Sequence, residues 1–229
     1  MSFEKRTIAV IGGTGKQGYG LALRWAVAGH EIIVGSRDAN RAQEAAIEIT
    51  KRAKSKNVTG ADNVAAAVAA EIVVLAVPFA SQEATLAPLK DAVAGKLVID
   101  VTAPLVPPKV GTVQLPEGGS AVLNAQRILG DEAQLVAAFQ NIAAQHLADL
   151  DHDIECDVLV CGNKKAMREI VIALAADAGM TGWHAGPLAN AVAAEAMTAV
   201  LISINRAHGI PGSGIRITGT PAGKDESTP

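Results

Sequence analysis

Thr7-Ile8-Ala9-Val10-Ile11-Gly12-Gly13-Thr14-Gly15-Lys16-Gln17-Gly18 is the stretch on which the fold turns. Residues 8–11 are apolar and rich in β-branched types, so they read as a short buried strand. Gly13, Gly15 and Gly18 follow in the spacing G-x-G-x-x-G, where a helix opens. Each glycine meets a separate demand. Gly13 permits a tight turn, Gly15 lets the backbone approach a pyrophosphate, and Gly18 lets the helix pack close to the strand. Lys16 and Gln17 lie at the start of that helix, where free N–H groups and a partial positive charge face the phosphates. A strand before the motif, a helix after it and a second strand at the expected distance predict a dinucleotide site rather than a merely structural glycine turn.

Outward from this stretch two textures alternate. Apolar runs at 7–11, 31–34, 72–77 and 97–101 predict strands of a parallel sheet buried on both faces. Ala-rich stretches at 18–28, 39–54, 61–70 and 81–92 carry helical spacing between them. The alternation predicts βαβ units and an α/β, doubly wound, mostly parallel Rossmann-type sheet. Residues 103–119 hold four prolines and break the rhythm as a long loop. Further strands are expected at 135–139, 156–161 and 181–185. Helices are expected at 163–178, with Asn163 as N-cap and Gly179 as C′, and at 188–208, ended by Gly209 and Pro211. Together these give a dinucleotide-binding domain over 1–150, a small C-terminal α/β portion over 151–217 and a flexible tail over 218–229.

The end of the second strand selects the dinucleotide. NAD binders place an acid there on the ribose 2′-hydroxyl. This chain has Gly35-Ser36-Arg37, with Arg41 four residues on. A serine hydroxyl and guanidinium groups suit a 2′-phosphate, and an arginine at a helix start otherwise opposes the dipole. NADP is therefore expected over NAD. Val77-Pro78-Phe79 ends a strand at the carboxyl edge, where ligands of open α/β sheets sit, and can wall the nicotinamide ribose or serve as a rigid turn.

Composition narrows the rest. The 229 residues are 49% apolar and 19% charged with a net charge of −3, enough for a buried core and without the basic field that nucleic acid requires. Aromatics are 3%, too few for base-stacking platforms. Cys156 and Cys161 read as reduced core thiols. The start of the chain lacks a signal-peptide pattern, and no uninterrupted apolar run reaches the roughly 20 residues of a spanning helix, so a cytoplasmic protein with no membrane partner is expected. His30, His146, His152, His184 and His208 are scattered without a nucleophile beside them, and the acids at 149–157 alternate with apolar residues as a half-exposed strand approach rather than a metal site. Residues 188–208 hold no lysine to move an alcohol proton, which favours a hydride transfer needing no positioned relay.

Three segments carry a resemblance: Ile11–Gly18, Gly20-Leu-Ala-Leu-Arg24 and Gly29-His-Glu-Ile-Ile-Val-Gly-Ser-Arg37. With Val160-Cys-Gly162 and Ala185-Gly-Pro-Leu-Ala-Asn190, the chain resembles the F420:NADP oxidoreductases over roughly residues 7–217. The resemblance implies direct hydride exchange between NADP(H) and the deazaflavin coenzyme F420 in a homodimer. It implies 2′-phosphate contacts from Thr14, Ser36, Arg37 and Arg41. It also implies a deazaflavin pocket near Asn141, Ile142, Leu188 and Asn190 and the 209–214 turn. A reductase of another planar acceptor such as a flavin, and a non-catalytic NADP-binding sensor, are the alternatives.

Overall fold

A computed structural model describes residues 4–219. The part of the expected tail from residue 220 onward lies outside the described residues. In chain order the elements are β1 (Thr7–Ile11), α1 (Lys16–Ala28), β2 (Glu31–Ser36), α2 (Ala39–Ala53), β3 (Val58–Asp62), α3 (Asn63–Ala69), β4 (Ile72–Leu75), α4 (Gln82–Leu86) and β5 (Leu97–Asp100). There follow α5 (Ala121–Leu129), β6 (Gln134–Ala137), α6 (Ala144–Ala148), β7 (Val158–Gly162), α7 (Lys165–Asp177), β8 (Gly182–His184) and α8 (Ala191–His208). The strands form one sheet in the order β3-β2-β1-β4-β5-β6-β7-β8. All neighbouring pairs are parallel except β6 with β7. Strand order reverses between β1 and β4, the position where an open α/β sheet leaves a crevice for ligand.

Alternation along the strands divides the core into two layers. Ile8, Val10, Ile72, Val74 and Ile99 face one layer with Leu21 and Trp25 of α1. Ala9, Ile11, Val73, Leu75 and Val98 face the other with α3, α4 and α5. This is the burial on both faces that the continuous apolar runs predict. Trp25 is fully buried. Its Nε1 donates to Leu174 O at 2.8 Å and its ring meets Phe139 edge-on at 5.8 Å, so α1, α7 and the end of β6 are locked together. Beside it, Arg24 donates to the backbone oxygens of His146, Leu147, Asp149, His152 and Ala178. The segment after α6, which has little regular structure, is thereby fixed on α1.

Several elements depart from expectation. β3 was not expected, and the helix expected from Ala61 begins only at Asn63, because Asp62 caps it by accepting from the N–H groups of Val64 and Ala65. Within β3, a Cβ on Gly60 would collide with the α2 backbone at Ala42 and Gln43, so the glycine permits that close contact. The helix expected over 81–92 is broken into α4 and short 3-10 turns, and Pro88 lies in the break. Asn163 does not cap α7. Its Oδ1 accepts from Leu188 N at 3.0 Å and ties the start of the next helical segment to β7. Gly179 does take the left-handed conformation after α7, with φ 82°. α5 and α6 were not foreseen; Ser120 caps α5 through Leu123 N.

Candidate active site

Two hollows open beyond the carboxyl ends of the strands, of about 600 Å³ and about 500 Å³. They share Gly15, Ala76, Val77 and Pro78 and so form one continuous cleft at the switch point.

The glycine turn builds the centre. Gly12, not Gly13, adopts the positive φ, at 81°, and a Cβ there would lie 2.5 Å from Ala76 O. Gly12 was missed at the sequence level because the motif begins one residue later. Gly13 closes the turn by donating to Val10 O, and a Cβ at Gly18 would lie 2.7 Å from Gly12 O, so the helix start can sit close only without a side chain. α1 has Gly15 at its N-cap, no side-chain cap and no acid in its first turn. Its leading N–H groups are left for an anion.

The larger hollow brings together Thr14, Ser36, Arg37 and Arg41. Arg37 and Arg41 are exposed, and among the described residues neither pairs with a carboxylate. Asp38 is the neighbouring acid in the sequence and lines the same hollow. Its Oδ1 accepts from Asn40 N and Arg41 N at the start of α2, so it is engaged as a cap. Asn63, which carried no signal in the sequence, also lines this hollow, and its Oδ1 is buried without a partner.

The smaller hollow is lined by Lys16, Gln17, Val77, Pro78 and Phe79 on one side and by Gln140, Asn141 and Ile142 on another. The 140–142 turn is aimed by an unusual residue. Phe139 is a fully buried aromatic at φ 70°, a conformation that costs on the order of 1–3 kcal/mol outside glycine. Trp25 packs on its ring, and Gln17 Nε2 donates to its carbonyl at 3.0 Å. Asn141 Nδ2 donates to Asp157 O and Gln140 Nε2 to Asp100 O, each at 3.0 Å. Both amides are thereby oriented with their oxygens left over. The described residues contain four buried side-chain polar atoms without a partner: Asn63 Oδ1, Thr102 Oγ1, Gln140 Oε1 and Asn141 Oδ1. All four belong to residues that line the cleft. Unpaired polar atoms are costly in a core, and their confinement to one cleft is the mark of a ligand that supplies the missing partners.

Leu188 and Asn190 do not line this cleft. Leu188 is buried in the core layer with Cys161 and Ala191, and Asn190 Nδ2 donates to Ala185 O. The wall is made instead by Thr198, Leu201, Ile202 and Asn205, two to four turns further along the same helix. The expected 209–214 turn does reach the cleft through Ser213, whose N–H donates to Asn205 Oδ1 at 2.8 Å.

No histidine lines either hollow. His30 is buried between Arg6 N and Asp177, and His146 stacks on His152 in a separate recess. Cys156 and Cys161 are free and buried, and burial pushes both thiols up, Cys161 to about 11. Two buried carboxyls lie beneath the cleft. Burial raises Asp100 to about 6 and Glu195 to about 8, against the hydrogen bonds each accepts. Among the described residues the cleft thus offers anion-binding backbone, guanidinium groups and unpaired hydrogen-bonding atoms, and no nucleophile–base pair.

Comparison with known proteins gives a consistent picture. The profile of a family described as NADP oxidoreductase, coenzyme F420-dependent, matches residues 7–104. The chain is 42% identical over 223 residues to an F420-dependent NADP reductase of Methanothermobacter marburgensis, covering 93% of this chain and 99% of that one. It is 40% identical over 221 residues to an F420-dependent NADP reductase of Methanothermobacter thermautotrophicus, covering 93% and 95%. A crystal structure from Arthrobacter sp. FB24, described provisionally as an F420-dependent NADP-reductase, superposes with a TM-score of 0.76 at 26% identity over 94% of this chain and 100% of that one. A reductive aminase from Aspergillus terreus in complex with NADPH shares the fold, with a TM-score of 0.60 at 18% identity, over 90% of this chain and 64% of that one.

Proposed function

The chain belongs to the family of coenzyme F420-dependent NADP oxidoreductases, and from that premise we propose that it passes a hydride directly between NADP(H) and F420 along the continuous cleft. The observation that carries the reading is the meeting of the two hollows at Gly15, Val77 and Pro78, which lets two ligands abut. The chemistry is that of the nicotinamide and deazaflavin rings, which exchange a hydride between C4 and C5 when those carbons stand about 3–3.5 Å apart.

This chain's residues bind and align. The uncapped start of α1 receives the pyrophosphate. Thr14, Ser36, Arg37 and Arg41 hold the 2′-phosphate through charge-assisted hydrogen bonds. Val77, Pro78 and Phe79 wall the nicotinamide ribose, and Asn141 and Ile142 face the acceptor ring. Thr102 and Gln140 offer their unpaired atoms to the polar edge of a planar ring system. Residues 1–150 supply the dinucleotide half, while 151–217 contribute the far wall of the acceptor half. We place the reaction in the cytoplasm, which suits two unpaired buried cysteines. We assign pairing of two copies to the outer face of α8, where Val200 and Ile204 are exposed.

The test is a spectrum. Adding NADPH to enzyme and F420 should bleach the visible F420 band, with flavin mononucleotide left oxidised. Bleaching of the flavin alone would favour another planar acceptor, and no bleaching of either with tight NADPH binding would favour a sensor.

A further inference from the structure

Beneath the acceptor half of the cleft the hydrogen bonds close into a ring that binding of a dinucleotide does not require. Glu195 on α8 accepts from Ala121 N at 2.6 Å through Oε2 and from Val122 N at 3.1 Å through Oε1. Ala121 O accepts from Gln82 Nε2 at 3.1 Å, and the same Nε2 donates to Asp100 Oδ2 at 2.7 Å. Asp100 O in turn accepts from Gln140 Nε2 at 3.0 Å, and Gln140 O accepts from Thr198 Oγ1 at 3.0 Å. Thr198 lies on α8 three residues after Glu195, on the same helix face, so the path returns to the helix where it began. A branch runs from Asp100 Oδ1 to Thr102 N at 2.8 Å. Every side chain in the ring except Thr198 is at least nine-tenths buried.

The ring joins four elements that the sheet alone does not hold in register: the end of β5, the start of α4, the start of α5 and the middle of α8. Its members at the cleft are Thr102, Gln140 and Thr198. Glu195 and Gln82 line neither hollow. A buried carboxyl placed on two backbone N–H groups of another helix is strongly directional, and removing one partner leaves the rest unsatisfied.

We propose that Glu195 and Gln82 are positioning residues for the acceptor: through Asp100 they set Gln140 and Thr102, and through α8 they set Thr198 and the wall beyond it, at the spacing the acceptor ring needs. This rests on the reading of the smaller hollow as the F420 half. The larger hollow, built from the glycine turn, the Ser36–Arg41 segment and Ser81 and Thr85 on either side of Gln82, shares no hydrogen bond with Glu195. Substitution at Glu195 therefore separates the two halves, and substitution at Gln82 tests the ring from its other side.

The experiment compares wild type, E195Q and Q82M in fluorescence titrations with F420 and with NADPH, alongside steady-state kinetics and thermal melts. E195Q keeps the shape and sets an amide N–H2 against a backbone N–H. Q82M keeps the volume and leaves Asp100 Oδ2 without its donor. A shift of the cleft wall by a fraction of an ångström should raise the F420 Kd and KM about tenfold or more in both variants. The NADPH Kd should stay within about twofold in E195Q, since Glu195 makes no hydrogen bond to the larger hollow, and Q82M, whose neighbours Ser81 and Thr85 line that hollow, should weaken F420 by a larger factor than NADPH. Equal F420 affinity in wild type and folded variants would overturn the proposal. So would a parallel loss of both ligands in E195Q, or failure of both variants to fold, since the ring would then be general scaffolding. A wild-type protein that does not bind F420 would instead overturn the function proposed above.

Discussion

At the residue scale, the function proposed above assigns specificity for the dinucleotide to the exposed guanidinium groups of Arg37 and Arg41 and assigns catalysis to no single acid or base. R37A combined with R41A should weaken NADPH about a hundredfold while NADH changes little, because only the 2′-phosphate loses charge-assisted bonds. Isothermal titration with both dinucleotides measures this directly. The histidines give the complementary expectation. None lines the cleft, so H146A, H152A, H184A and H208A should each keep kcat within about tenfold, where loss of a true general acid costs roughly 10²–10⁴. Thr14, Gly15, Ser36, Arg37 and Arg41 of the larger hollow were legible in the sequence because they fall in two short runs, 13–18 and 36–41, whose chemistry is local. Asn63, Thr102 and Gln140 were not legible. Their significance is an unpaired buried atom, and that is a property of packing.

At the element scale, the cleft depends on close backbone approaches and on a strained turn. G18A places a methyl 2.7 Å from Gly12 O. It should push α1 off the glycine turn and remove detectable NADPH binding, read by fluorescence titration, while the strands around it stay paired. Phe139 is held in its left-handed conformation by the packing of Trp25 on its ring and the bond from Gln17 to its carbonyl. W25A should therefore cost about 3–5 kcal/mol of stability in urea unfolding and loosen the 140–142 turn. The alternation of apolar and Ala-rich runs made β1, β2, β4, β5 and the helices after β1 and β2 legible. β3 was hidden because Gly60 and Asp62 are poor strand formers, and its place is set by α2 lying across it. The start of α8 was read three residues early, since the 3-10 turn at Leu188–Asn190 continues the same apolar pattern. Leu188 and Asn190 entered through the family resemblance alone, and the cleft is lined instead by Thr198 and Asn205 further along α8.

At the scale of the whole molecule, the two buried carboxyls link folding to pH. Each has a folded pKa above its ordinary value, Asp100 at about 6 against 3.8 and Glu195 at about 8 against 4.5. In each case the protonated form is the one the fold favours. The contribution is complete below the ordinary value and is lost as pH rises through the folded one. Wild-type stability should accordingly decline between about pH 4 and 8 on this account, with the upper part of that fall due to Glu195. E195Q cannot ionise there, so its curve should be flatter between about pH 6 and 8; parallel curves from denaturant melts would contradict the assignment.

The central claim is that the cleft lets one ring hand its hydride to the other with no intermediate stop. NADPH deuterated at C4 in a defined configuration, mixed with enzyme and F420 in ordinary water, tests it by mass spectrometry of the reduced coenzyme. The expected result is one deuterium in reduced F420 from one of the two C4 epimers and none from the other, because a fixed stack presents a single face. Reduced F420 carrying no deuterium from either epimer, or carrying it equally from both, would contradict direct transfer within a shaped cleft.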